Sequence, residues 1–284
     1  MKRKVKFIGS AIGNCGRISG CESAPYEIVN YVNKQLNQLF VAEIVNYAGE
    51  SHDVQEQQNF FVTIANKVKD TLDDNEFPIL LGGDHSCAIG SWSGVASKLQ
   101  EENKNLSLIW IDAHMDAHRP DTSDSGNLHG MPVAHLLGSG YQEFTSILTK
   151  TPKLKPENIV YFGIRSFEKP EEDYLKNLGV KIYYQHMLND DNFQELFLTE
   201  YKRLSECGKV GISLDLDGLD PKNIAAVGTP ESFGIDSQIF LEVMQKIDLD
   251  KLVAFEIAEY NPKLDKNNET MNYILELIKS LIKK

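Results

Sequence analysis

LSLIWIDAHMDAHRPDTSDSGNLHG, residues 106–130, is the stretch on which the reading of this chain turns. Leu106, Leu108, Ile109, Trp110 and Ile111 form a short apolar run rich in strand-forming types. Asp112, His114, Asp116 and His118 follow it without a spacer. In extended backbone alternate residues share a face, so Asp112, His114 and Asp116 are expected to converge on one point beyond the carboxyl end of a buried strand. Stability does not account for such a pattern. A buried charge left without its partner costs on the order of 3 to 5 kcal/mol, so a bound cation is the expected compensation.

The flanking segments repeat the theme of an apolar run that ends in polar residues. Upstream, Phe77, Pro78, Ile79, Leu80 and Leu81 read as a buried strand stopping at Gly82-Gly83. Asp84-His85-Ser86 then hands over to a helix through Ile89, Trp92, Val95 and Leu99. Downstream, Ile159 to Ile164 reads as a strand, Tyr174 to Leu178 as the end of a helix capped by Gly179, and Val180 to Tyr184 as strand again. Val210 to Ser213 opens a strand that runs into Asp215-Leu216-Asp217-Gly218-Leu219-Asp220-Pro221, where the carboxylate pair recurs. Val5 to Gly9 and Leu252 to Ile257 complete the strands. Helical spacing marks Ile28 to Leu36 after Ser23-Ala24-Pro25, then Phe61 to Leu72, Met131 to Leu137, Phe193 to Leu204, Phe240 to Ile247 and Ile274 to Ile282. The glycine-rich loop Gly13 to Gly20 lacks both a GKS/T ending and clean GxGxxG spacing, and is read as a flexible connection rather than a phosphate cradle.

Strand and helix alternate without a break. That predicts the α/β class, with a central parallel sheet covered on both faces by right-handed crossovers in a three-layer αβα arrangement. No linker, repeat or charge block divides residues 1–284, so one domain is expected. In such sheets ligands bind beyond the carboxyl ends of the strands. His85, Asp112 to Asp116, Asp215-Asp217 and Glu259 all fall there.

Composition narrows the function. Hydrophobic residues make up 42% and charged ones 25%, ordinary proportions that argue against long disorder. Lys and Arg number 29 against 41 Asp and Glu, and the formal net charge of −12 disfavours nucleic acid and anionic membrane as partners while suiting a cationic substrate. Cys15, Cys21, Cys87 and Cys207 form no CxxC pair, so reduced thiols and a cytoplasmic location are expected. Lys6 interrupts the apolar part of MKRKVKFIGSAIG, which reads as a first strand with a basic end and not as a signal or membrane segment.

Taken singly, GGDH is usually a turn with a capping Asp, and DLD at a strand end is often a solvated pair. Together, two imidazoles and four carboxylates at three strand ends are enough to hold two divalent ions, and oxygen-rich ligation favours Mn²⁺ over zinc. Four Asp carboxylates against two divalent ions leave a cluster near neutrality.

The chain resembles the ureohydrolases, the family of arginase and agmatinase. The likeness rests on Gly82-Gly83-Asp84-His85-Ser86, on Asp112-Ala113-His114-Met115-Asp116-Ala117-His118, and on Ser213-Leu214-Asp215-Leu216-Asp217-Gly218-Leu219-Asp220-Pro221, in that order and at the family's spacing. The resemblance implies an arginase-like fold and two Mn²⁺ per chain. His85, Asp112, Asp116 and Asp215 would hold one ion, and His114, Asp112, Asp215 and Asp217 the other, with Asp112 and Asp215 bridging. A homo-oligomer is expected.

Ser125-Gly126-Asn127-Leu128-His129-Gly130 looks like the arginase segment in which a serine and an asparagine hold the substrate's α-carboxylate and a histidine shuttles protons. By that likeness Ser125 and Asn127 bind substrate and His129 is catalytic. Glu259 matches the acidic residue near the guanidinium. Three positions depart from the arginase pattern. His118 stands where an asparagine contacts the α-carboxylate, and Ser166-Phe167-Glu168 replaces an Asp-x-Asp whose second Asp takes the α-ammonium. Glu231, two residues after Thr229, is similar to some agmatinases. His118, Glu168, Thr229 and Glu231 therefore join the candidate substrate contacts. The implied reaction is hydrolysis of L-arginine to urea and L-ornithine, with agmatine, guanidinobutyrate or a formimino compound as the alternative substrate. A single-zinc deacetylase is disfavoured by the six ligands, and a silent regulator by their full complement.

Overall fold

A computed structural model describes residues 4–282. The basic Met1-Lys2-Arg3 end and the side chain of Cys207 lie outside the described residues. The described strands are β1 (Val5–Ala11), β2 (Val41–Asn46), β3 (Phe77–Gly82), β4 (Asn105–Ile111), β5 (Leu154–Ile164), β6 (Lys181–Tyr184), β7 (Gly208–Asp215) and β8 (Leu252–Ala258). They form one sheet in the order β2-β1-β3-β8-β7-β4-β5-β6, and every pairing is parallel. The helices between them are α1 (Ala24–Leu36), α2 (Val54–Asp73), α3 (Ala88–Glu101), α4 (Pro132–Leu136), α5 (Gln142–Thr145), α6 (Lys169–Asn177), α7 (Phe193–Cys207), α8 (Ser237–Lys246) and α9 (Glu269–Ile282). None of the described helices is long and apolar enough to cross a membrane.

The three-layer expectation holds, and the side-chain pattern shows why. Along β4, Ile109 and Ile111 enter the core shared with α1, α7, α8 and α9, while Leu106, Leu108 and Trp110 enter the core shared with α2, α3 and α4. A period of two in a run apolar on both faces is what a strand buried between two helical layers requires. On the second face the middle of the sheet is unusually small: Gly211 in β7 leaves the space that the Trp92 ring of α3 fills. Two departures from the expected strands are local. β2 was not foreseen, because Val41-Ala-Glu-Ile-Val-Asn is an edge strand with no buried residue. Its Glu43 pairs with Lys6 and Lys67, a charge that blunts the open edge. β5 begins at Leu154, five residues before the expected Ile159, because Leu106 pairs with Leu154 before the register shifts.

Candidate active site

The strand order brings β3, β8, β7 and β4 side by side, so residues far apart in the chain meet at one end of the sheet. His85 follows β3, Glu259 follows β8, Asp215 ends β7 with Asp217 just beyond it, and Asp112 follows β4. The expectation that Asp112, His114 and Asp116 share one face of an extended strand is corrected here. β4 stops at Ile111, and Asp116 sits in the left-handed region at φ 49°, its carbonyl taken by the Val133 amide at 2.9 Å. This bend sends His114 and Asp116 to different places. His85, Asp112, Asp116 and Asp215 gather at one point, and Asp112, His114 and Asp217 at a second, so Asp112 belongs to both. Asp215 belongs to the first, and its other oxygen accepts the Asp217 amide at 2.8 Å.

Whether these residues fit a cation can be judged from His85. Its ring is fully buried, and Nδ1 has no hydrogen-bond partner although carboxylate oxygens of Asp215, Asp116 and Asp112 lie 3.1, 3.2 and 3.3 Å away. The other nitrogen, Nε2, meets Ser213 Oγ at 3.0 Å, and that hydroxyl donates to Glu256 Oε2 at 2.7 Å. Glu256 also accepts from Trp92 Nε1 at 2.6 Å. Buried carboxylate, serine and imidazole thus form a relay that leaves the Nδ1 lone pair aimed at three oxygens, an arrangement a divalent cation satisfies. Around the second point, His114 Nδ1 lies 3.1 Å from Asp217 Oδ2 and 3.5 Å from Asp112 Oδ1. Trp110 Nε1 donates to Asp112 Oδ2 at 2.9 Å and Thr229 Oγ1 to Asp217 Oδ2 at 3.0 Å, orienting both carboxylates.

Electrostatics agree with the geometry. Burial, reinforced by Asp217 and Asp112, pushes the Asp215 carboxyl well above its ordinary range, and burial with Asp112 pushes Asp116 up to about 7. Burial opposes the charge on Asp112 too, yet the imidazoles of His114 and His85 hold its carboxyl well below the usual value. With protein groups alone, the cluster can balance itself only by retaining protons. Divalent ions would take their place.

A cleft of about 490 Å³ opens above this floor. Its walls carry Ser125, Asn127, His129, Glu168, Thr229, Glu231 and Glu259, with His118 and the candidate ligands His114, Asp116, Asp215 and Asp217; Arg17 is the one Lys or Arg among its described lining residues. His129 Nδ1 lies 3.3 Å from Glu259 Oε1. Burial alone would lower the His129 pKa, but the Glu259 carboxylate raises it to about 9. Glu259 in turn accepts the His85 amide at 2.9 Å and holds φ 64°, a left-handed backbone that is costly for a residue with a Cβ and persists where surrounding contacts enforce it. Glu231 Oε1 is 3.9 Å from His114 Nε2. Every candidate residue read from the sequence therefore lies in or beneath one cleft.

Several residues escaped that reading. The loop Gly13 to Gly20 roofs the site: the Cys15 carbonyl accepts the His129 amide at 3.2 Å, and its own amide donates to buried Asp84 at 3.0 Å. Arg165 spreads its guanidinium over backbone carbonyls of Asp217 (2.6 Å), Glu231 (2.8 Å) and Ser232 (3.0 Å), clamping the Thr229–Glu231 loop to the ligand loop after β7. Glu171, buried, anchors the other wall. Its only sequence signal is position, three residues after Glu168 at a helix start.

Known proteins resemble this chain in sequence and fold. A model of the arginase family matches residues 3–283. Arginase of Bacillus subtilis strain 168 is 40% identical over 224 residues, which cover 78% of this chain and 74% of that one. Arginase of Bacillus caldovelox is 37% identical over 222 residues, covering 77% and 72%. The crystal structure of arginase from Bacillus subtilis superposes with a TM-score of 0.88 at 33% identity, covering 99% of both chains. An agmatine ureohydrolase of Thermoplasma volcanium, at 23% identity and a TM-score of 0.74, shares the fold. With a family match over nearly all its length and relatives up to 40% identical, this chain belongs to the arginase family.

Proposed function

We propose that this protein is a binuclear manganese enzyme that hydrolyses L-arginine to urea and L-ornithine. The observation that carries the reading is the pair of ligand gatherings sharing Asp112 at the floor of a carboxylate-rich cleft whose wall holds Ser125, Asn127 and His129. His85, Asp112, Asp116 and Asp215 would hold one Mn²⁺, and Asp112, His114 and Asp217 the other, with Asp215 as the further expected bridge. Bound there, the ions would make hydroxide available at neutral pH by lowering the pKa of water, which the resonance-stabilised guanidinium carbon requires.

The protein's own groups do the rest. The acidic lining draws in a guanidinium and excludes anions. Ser125 and Asn127 meet the α-carboxylate, Glu168 the α-ammonium, and Glu259 stands beside the guanidinium. His129, held by Glu259 and charged at neutral pH, gives its proton to the leaving amine and regains one from solvent. Thr229 spends its hydroxyl on Asp217 and so acts on a metal ligand while lining the cleft. We take the enzyme to be a homo-oligomer, and to be cytoplasmic in keeping with the free, buried thiols of Cys15, Cys21 and Cys87.

Glu231 favours a second reading, since its carboxylate reaches the cleft beside His114 and would suit a substrate without an α-carboxylate. Urea release from Mn²⁺-loaded protein, compared across L-arginine, agmatine and guanidinobutyrate, tests both. Turnover of arginine well above agmatine supports the first, the reverse order supports the second, and no urea from any of them rejects the pair.

A further inference from the structure

Two of the positions at which this chain departs from the arginase pattern touch each other. His118 Nε2 lies 3.4 Å from Glu168 Oε2 and 3.2 Å from Glu171 Oε2, while Nδ1 lies 3.2 Å from Thr122 Oγ1. Both ring nitrogens therefore face protein oxygens, and an incoming carboxylate would meet a ring already flanked by two others. Glu171 is the fixed member of the trio. Its side chain is 6% exposed, Oε1 accepts the Ala117 amide and Oε2 the Glu168 amide, each at 3.1 Å. Glu168 is the adjustable one: its side chain is 64% exposed at the N-terminus of α6, and a glutamate has one more rotatable bond than the aspartate it replaces.

We propose that His118 is a positioning residue for Glu168, tethering its carboxylate at the cleft wall as the seat of the substrate's α-ammonium, and does not itself bind the substrate's carboxylate. The two departures then compensate one another. A longer acid, held otherwise only by the capping box with Glu171 at the start of α6, is fastened by an imidazole that is itself anchored on Glu171. Pre-ordering a flexible side chain in this way improves affinity about three- to tenfold, the usual cost of immobilising one on binding. This inference rests on the arginine reading, because it takes an α-amino acid head group to be the thing recognised.

The test uses Mn²⁺-loaded enzyme and two fragments of the amine product: 1,4-diaminobutane, which lacks the carboxylate, and 5-aminopentanoate, which lacks the α-amino group. In His118→Asn the KM for L-arginine and the inhibition constant of 1,4-diaminobutane should both rise about three- to tenfold, with kcat within about twofold, as loss of uniform binding requires. The inhibition constant of 5-aminopentanoate should stay put. In the Glu168→Gln background, His118→Asn should add nothing. Weaker 5-aminopentanoate with unaltered 1,4-diaminobutane would make His118 a carboxylate ligand and overturn the proposal, as would an undiminished effect without Glu168 or no effect at all. Failure of the arginine reading looks different: the wild type would release no urea from arginine, whereas calorimetric binding of the two fragments to wild type and His118→Asn, which needs no turnover, would still report on the His118–Glu168 contact.

Discussion

Replacing Ser213 with alanine deletes the oxygen that His85 Nε2 meets at 3.0 Å and severs the relay to Glu256. The His85 ring is fully buried, so its N–H is left without a partner, at a cost of about 1 to 3 kcal/mol. The ring can escape that cost by moving the proton to Nδ1, among the oxygens of Asp112, Asp116 and Asp215, but a cation must then displace it. Either route weakens the ion held by His85 by roughly 10- to 100-fold, equivalent to about 1.4 to 2.7 kcal/mol. The ion at Asp112, His114 and Asp217 makes no direct use of the relay and feels its loss only through the shared Asp112, so it should weaken less than the ion at His85. Metal-depleted Ser213→Ala protein titrated with Mn²⁺ against a chelating indicator should thus give one strongly weakened and one less weakened site where the wild type gives two tight ones. Glu256→Gln should move the same site in the same direction. Equal weakening at both sites, or none at either, would refute the assignment of the relay to His85.

Asp215→Asn should abolish activity and yet stabilise the metal-free protein by roughly 1 to 2 kcal/mol, because the buried acid sits among like charges. Its folded pKa is raised above the unfolded one, so the wild-type penalty grows as pH rises past about 4, and melting in chelator at pH 7 reads the difference. His129→Asn should lower kcat by roughly 10²- to 10⁴-fold with the Mn²⁺ titration unchanged; lost metal would reassign the residue to ligation. His135, buried with Nε2 unpartnered, has its pKa depressed from 6.5 to about 4 by burial. Between those values the unfolded chain binds more protons than the folded one, so acidification through this window should cost about 3 kcal/mol. His135→Gln lacks the group, so the difference between wild-type and variant denaturation curves measured from pH 7 to pH 4 should show that cost, and a flat difference would refute it.

The sheet and its polar ends were legible because β3, β4, β7 and β8 are buried on both faces, and such strands show as largely apolar runs that give way at their ends to polar and charged residues. What escaped notice depends on geometry that one-dimensional spacing does not carry. Asp116 reaches His85, Asp112 and Asp215 through a left-handed bend and not through strand alternation, and no residue type announces that bend in advance. Arg165 works through backbone carbonyls, which look alike whatever the sequence, so nothing in a motif points to it. Glu256 lies mid-strand in an apolar run, where only the three-dimensional neighbours Ser213 and Trp92 explain a buried acid. β2 was hidden by being half wet: an edge strand mixes polar and apolar residues as a loop does.

The order of strands in the sheet has a consequence for how the molecule comes into being. β3 and β4 follow each other in the chain, but β8 and β7 lie between them in the sheet. A nascent chain that has released β4, ending at Ile111, must hold two hydrogen-bonding edges open until β8, ending at Ala258, emerges. At ribosomal speeds of about 5 to 20 residues per second, the 258 − 111 = 147 intervening residues take roughly 7 to 30 s. Such long-range parallel pairing is intrinsically slow, and the waiting edges are the apolar, strand-prone kind that recruit one another between molecules. The gathering of His85 with Asp112, Asp116 and Asp215 joins the end of β3 to those of β4 and β7 and cannot form before β8 inserts, whereas Asp112, His114 and Asp217 follow neighbouring strands and can meet earlier, so uptake of an ion at His85 would mark the close of assembly.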